Sequence, residues 1–275
     1  MSAPLAASVT ATEPSPGTQV LARCRAEGRA ALVAYLPVGF PSVAGSVEAM
    51  VAMVEAGADI VEVGVPYSDP LMDGPVIQRA TEAALAGGTR VDDVFTAVRA
   101  VAEAGAAAYV MTYWNLVLRR GVERFAADLA AAGGSGLITP DLIPDEADDW
   151  LAASDAHGLD RVFLVAPSST PERLVIATGA SRGFVYAAST MGVTGTRETV
   201  GSAAEQVVAH TRAVTQLPVC VGLGVSNRAQ AADVARFADG VIVGSALVRA
   251  LGEGGIPALT ALTRELAAGV REGRA

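Results

Sequence analysis

Eight times along this 275-residue chain a short apolar run is followed by a stretch with helical spacing, and that alternation limits the possible folds more than any other feature. The expected strands cover 31–38, 59–65, 107–114, 136–141, 161–166, 183–189, 218–225 and 240–244. Helical patterns over 43–56, 76–86, 91–104, 122–132, 145–156, 171–177, 202–215, 229–237 and 257–270 separate or follow them. Each helix returns the chain to the start of a strand running the same way, so the sheet is parallel. Eight such units within about 250 residues fit a closed (β/α)8 TIM barrel better than an open doubly wound sheet. No Gly-x-Gly-x-x-Gly follows the first strand, which disfavours a dinucleotide-binding fold further. An extra helix over 18–28 precedes the first strand and is expected to plug the bottom of the barrel. No linker marks a second domain. Residues 1–17 are expected to be a flexible tail and 18–275 a single barrel domain.

The net charge of −9 argues against nucleic acid or an anionic membrane as partner. All 20 basic residues are arginine, so no Schiff-base lysine chemistry is available. Cys24 and Cys220 lie far apart with no CxxC, and His157 and His210 sit in helical contexts, which suggests no metal site. No apolar run approaches the length needed to cross a bilayer, and the first 18 residues lack the pattern of a secretion signal. The expected location is the cytoplasm.

Within this frame the stretch 59–78 stands out. The second strand carries one acid, Glu62, among Ile60, Val61, Val63 and Val65, and it breaks at Pro66 into a loop holding Asp69 and Asp73. A charged carboxylate is expensive to bury, and burial raises its pKa instead. Alternation puts Ile60, Glu62 and Gly64 on one face and three valines on the other. Glu62 therefore points into the barrel mouth, with the small Gly64 expected to leave space above it. In such barrels the strand C-terminal ends carry the chemistry. Taken alone, Glu62 reads equally well as a core acid paired with Arg79, and Asp69 and Asp73 as turn caps beside Pro70 and Gly74.

Glycine-bearing segments follow the last three strands: Gly192-Val193-Thr194-Gly195, Gly222-Leu223-Gly224-Val225-Ser226 and Val243-Gly244-Ser245-Ala246. Glycine lets backbone N–H groups approach a ligand, and a helix start at Ser245 adds partial positive charge. Together they suggest a phosphate site built without lysine.

The block Val61-Glu62-Val63-Gly64-Val65-Pro66-Tyr67-Ser68-Asp69-Pro70-Leu71-Met72-Asp73-Gly74-Pro75 closely resembles the tryptophan synthase alpha chain family. The segments 35–41 and Thr112-Tyr113-Trp114-Asn115, together with the late glycine loops, extend the likeness from about residue 29 to about residue 266. The resemblance implies a lyase of tryptophan biosynthesis that splits indole-3-glycerol phosphate by a retro-aldol step. The products would be indole and glyceraldehyde 3-phosphate. It implies Glu62 as the acid–base group and Asp73 as the partner of the indole N–H. It implies that Tyr35, Met111, Tyr113, Tyr186 and Leu223 line the substrate site and that Thr194 closes a loop over Asp73. Gly195, Gly224, Gly244 and Ser245 would hold the phosphate. Asp69 would face a beta chain, in a heterotetramer of two alpha and two beta chains. No cofactor is implied for this chain; pyridoxal phosphate would belong to the beta chain alone. The chemistry agrees, since a carboxylic acid with raised pKa can protonate indole C3 near neutral pH and an ionised carboxylate can stabilise the resulting cation.

The chain departs from the family pattern at Leu223, where the family commonly has an aromatic residue, at Ile143, where it has a proline, and at Thr190, often basic in relatives. Two alternatives share this sequence: a stand-alone indole-3-glycerol-phosphate lyase and a non-catalytic activator of the beta chain.

Overall fold

The computed structural model describes residues 13–188, 197–222 and 224–273, without the side chains of 197–202. Its strands are β1 (Ala31–Pro37), β2 (Ile60–Gly64), β3 (Ala107–Met111), β4 (Gly136–Ile138), β5 (Asp160–Val162), β6 (Leu164–Val165), β7 (Val185–Ala188), β8 (Val219–Gly222) and β9 (Gly240–Val243). They pair in parallel in the order β5-β4-β3-β2-β1-β9-β8-β7-β6. The two ends of that order are successive pieces of one strand, interrupted at Phe163. Its carbonyl still accepts from Tyr186 N at 3.2 Å. The sheet thus forms an eight-stave barrel with the fifth stave broken, as the alternation of the sequence implies.

Period-two alternation sorts the core into two shells. Ala31, Val33, Ile60, Tyr109, Phe184 and Cys220 fill the barrel interior, while Leu32, Val61, Val63, Ala108 and Val110 pack outward against the helices. Helix α1 (Pro16–Ala26) adds Val20, Leu21 and Cys24 to the interior shell, so it closes the N-terminal end of the barrel. Gly17 is what lets it dock, since a Cβ there would fall on the Tyr109 phenol.

Polar anchors hold this lower end. The Asp160 carboxylate, 1% exposed, accepts from Ser15 Oγ, from Thr18 Oγ1 at 3.3 Å and from Tyr109 Oη at 2.7 Å. Asp59 accepts both Nη groups of Arg29 at 2.8 Å and the Leu32 amide at 2.9 Å. Asp160 begins β5 and Asp59 directly precedes β2, so their side chains tie the barrel floor to the elements beneath it.

The sequence reading needs adjustment in places. The tail expected to run to Gly17 ends earlier, because Ser15 caps α1 by accepting from Thr18 N at 3.0 Å. Strand β3 stops at Met111 instead of Trp114, and an unanticipated helix, Trp114–Arg120, follows. Its first amide, Trp114 N, donates to the Asp141 carboxylate at 2.9 Å, a contact from the next loop that local pattern cannot show. The final helix spans Ser245–Glu272 with a kink at Gly255, whose φ is +64°. It joins the helix start expected at Ser245 to the terminal helix expected at 257–270.

Replacing Asp160 with alanine leaves three hydroxyl donors, two of them buried, without their acceptor, and we expect a stability loss of about 3 kcal/mol. Urea unfolding of the variant checks this, and a loss below about 1 kcal/mol contradicts the anchoring role.

Candidate active site

The upper end of the barrel is built by β1 and β2 together. Their register pairs Tyr35 with Glu62 and Pro37 with Gly64, so two inward side chains stand abreast with a glycine one step above the acid. Glu62 is 1% exposed, and its Oε1 is buried with no hydrogen-bond partner among the described residues. Arg79 is exposed and makes no ion pair with it, so the paired-core-acid alternative fails. Loss of hydration is the cause that pushes the Glu62 carboxyl up to about 8.

Gly64 leaves no void above Glu62. A Cβ on Gly64 would lie 2.5 Å from Tyr35 Oη, so the glycine makes room for the Tyr35 ring, and the expectation of free space there is corrected. The arrangement recurs across the mouth, where a Cβ on Gly222 would lie 2.7 Å from Tyr186 Oη. Both tyrosines are driven to higher pKa, first by burial and then by nearby carboxylates, so both phenols hold their protons at any ordinary pH.

These groups face a cavity of about 140 Å³ that also takes in Asp73, Met111, Gly224, Gly244 and Ser245. Asp73 precedes the helix Pro75–Ala86, and Gln78 Nε2 donates to its carbonyl at 2.9 Å. Burial raises the Asp73 carboxyl, while the adjacent helix N-terminus favours its ionised form. On the opposite wall Gly224 adopts φ +65°, and Gly244 precedes the helix that starts at Ser245, whose first turn carries no acid. Free amides at that helix start suit an anion.

Other expected residues fall elsewhere. Tyr113 is not on the cavity wall; its hydroxyl accepts from Leu71 N at 2.9 Å and Met72 N at 3.0 Å, and its ring packs 4.7 Å from that of Tyr67. It anchors the loop that carries Asp73. Asp69 is exposed and accepts from Ser68 Oγ at 2.6 Å. Thr190, Thr194, Gly195 and Leu223 lie outside the described residues. Neither histidine reaches the cavity: His157 bonds Glu123 at 2.6 Å and His210 is exposed. Sequence reasoning missed Met72, Ile77, Leu164, Ala188 and Ile242, which complete the apolar lining. Inward parity at the strand ends is the signal that would have found Leu164, Ala188 and Ile242.

Size alone would select a second, larger cavity of about 300 Å³ at the barrel floor, lined in part by Arg29 and Arg182. The guanidinium donors of Arg29 go to Glu27 and Asp59, and those of Arg182 to Asp155 and to the Ser154 and Leu159 carbonyls. The upper cavity instead holds an unpaired buried carboxyl beside a helix start. Chemistry therefore points to the upper one. Among the described residues no group of three or more His, Cys, Asp or Glu side chains is arranged to hold a metal ion.

Residues 21–271 match the family model described as tryptophan synthase alpha chain. The tryptophan synthase alpha chain of Mycobacterium marinum is 70% identical over 249 residues, covering 90% of this chain and 92% of that protein. A structure of Mycobacterium tuberculosis tryptophan synthase superposes with a TM-score of 0.90 at 67% identity, covering 94% of this chain and 99% of that one. The alpha subunit from Legionella pneumophila gives a TM-score of 0.86 at 32% identity over 93% and 98% of the two chains.

The raised Glu62 pKa has a sign that stability can read. The folded state keeps a proton that the unfolded chain releases near pH 4.5, so wild-type stability falls as pH rises from there to about 8 and is level above. We expect Glu62→Gln to be more stable than wild type by a few kcal/mol at pH 8.5, with the difference shrinking toward pH 5. Urea unfolding across that range tests it, and a difference that ignores pH contradicts the buried, protonated carboxyl.

Proposed function

The chain belongs to the tryptophan synthase alpha chain family, and from that premise we propose that Glu62 and Asp73 cleave indole-3-glycerol phosphate between them. The lyase reaction is that of the family; the assignment of roles to residues is our own reading of the geometry. The observation that carries it is the Glu62 carboxyl, buried without a partner in the barrel mouth and pushed up to about 8.

Indole leaves poorly as a carbanion, so C3 must gain a proton as the carbon–carbon bond weakens. Glu62, protonated at neutral pH, supplies that proton, giving a cationic indolenine. The conjugate carboxylate then takes the proton of the hydroxyl on the carbon bonded to C3. The O–H electrons form the aldehyde carbonyl, and the carbon–carbon bonding pair returns to the ring, neutralising nitrogen. One carboxyl gives and recovers one proton, so no net acid or base is consumed. Asp73 accepts the indole N–H and stabilises the positive charge while it lasts. Met111, Leu164 and Ile242 give the indole ring an apolar wall, and Tyr186 stands beside Glu62. Gly224, Gly244 and Ser245 hold the phosphate by backbone amides and the Ser245 helix start. We propose that Tyr113 acts on the substrate indirectly, by fixing the loop that presents Asp73.

The indole formed would pass to a beta chain carrying pyridoxal phosphate, within a cytoplasmic heterotetramer. The loop after β2 supports this reading: Leu71 is 80% exposed and Met72 47%, next to Asp69. Ile143, on the loop after β4, is also exposed. No helix of the described residues is long and apolar enough to cross a membrane.

Glu62→Gln should abolish indole formation from indole-3-glycerol phosphate while leaving binding of the phosphorylated substrate largely intact. Turnover above about a tenth of wild type, roughly 1.4 kcal/mol of transition-state stabilisation, would remove Glu62 from the role. The same indole-release assay with and without a beta chain separates a coupled subunit, stimulated by its partner, from a stand-alone lyase, which is indifferent to it.

A further inference from the structure

We propose that the Tyr35 hydroxyl is a specificity-determining hydrogen-bonding group for the glycerol segment of the substrate. The inference rests on the reading above that the upper cavity takes indole-3-glycerol phosphate. Glu62 Oε1 is buried on that cavity without a partner among the described residues, and the Tyr35 and Tyr186 phenols, which line it too, make no hydrogen bond to a described side chain or backbone group. Tyr35 is itself buried, and polar groups in buried residues are normally satisfied, so leaving one unmet is costly. Unmet atoms facing a ligand cavity are best explained as met by the ligand.

The position of the Tyr35 ring says which part of the ligand. Its near edge packs against the phosphate end of the cavity, where a Cβ on Gly244 would lie 3.3 Å from Tyr35 Cδ1. Its hydroxyl end lies over Gly64, one inward position above Glu62 on the neighbouring strand. The ring thus spans the distance from the glycine that precedes the Ser245 helix to the acid that works at indole C3. The substrate segment connecting those two points is the glycerol chain.

The other polar groups of the substrate are already matched. The indole N–H goes to Asp73, the phosphate to backbone amides, and the hydroxyl next to the indole to Glu62. The second carbinol hydroxyl remains, and a phenol that can both donate and accept suits it. Phenylalanine would fill the same volume over Gly64 but leave that hydroxyl unpaired. A site that pairs a substrate hydroxyl discriminates strongly against ligands lacking it.

The test is Tyr35→Phe, in the full-length protein with and without a beta chain. We expect kcat/KM for indole-3-glycerol phosphate to fall about tenfold to a hundredfold. Binding of 3-indolylpropyl phosphate, which lacks both carbinol hydroxyls, should change less than about twofold, because no hydrogen bond to it is lost. Equal losses for both ligands would reduce Tyr35 to packing and overturn the inference, as would an unchanged kcat/KM. Failure of the underlying reading looks different, with wild type itself releasing no indole or Glu62→Gln retaining turnover.

Discussion

A carboxyl group with no partner in a parallel barrel is a constraint that the surrounding sequence must meet. Strand β2 lies between β1 and β3, so the inward side chain of Glu62 faces the barrel mouth and reaches no outer helix. Its 1% exposure and unpaired Oε1 mean that the protein carries the desolvation cost instead of relieving it with an arginine. The group responds by holding its proton to about pH 8. The rest of the upper site follows from that arrangement. A neutral acid needs an apolar wall, which Met111, Leu164 and Ile242 supply, and a second carboxylate nearby that is less enclosed, which is Asp73.

The two ends of the barrel treat polar groups in opposite ways. At the floor, Asp160 gathers hydroxyl donors and Asp59 takes a two-pronged arginine, so each buried acid is satisfied and the end is closed by α1. At the mouth, polar atoms are left for a ligand and glycines replace larger side chains. Gly64 and Gly222 admit tyrosine rings, while under the proposed function Gly224 and Gly244 bring backbone close to the phosphate. Glycine at this end thus has two uses: some positions receive a side chain and others, under the proposed function, receive substrate.

Much of this was legible in the sequence because it depends on local period. Alternation in 60–65 fixed the direction of Glu62, and the spacing of apolar runs fixed the number of staves. Features that depend on neighbours from other loops were not legible. The helix at Trp114–Arg120 begins where it does because Asp141, 27 positions away in the chain, accepts from its first amide. Tyr113 reads as a cavity aromatic by position, yet its hydroxyl is taken by two amides of the loop before the helix Pro75–Ala86. Gly64 reads as empty space until the ring of Tyr35, on a strand paired with its own, is placed over it. The buried Asp160 lies at the edge of an expected strand, and nothing in its immediate neighbours tells of the three hydroxyls that converge on it.

The central claim is that Glu62 is a neutral acid in the ligand-free site at physiological pH. Its ionisation is directly visible as the carboxyl-stretch infrared signal present in wild type and absent in Glu62→Gln, followed through a pH titration. The account predicts a midpoint near 8. A midpoint in the ordinary range near 4.5 would contradict it, because a carboxylate already ionised at neutral pH has no proton to give to indole C3.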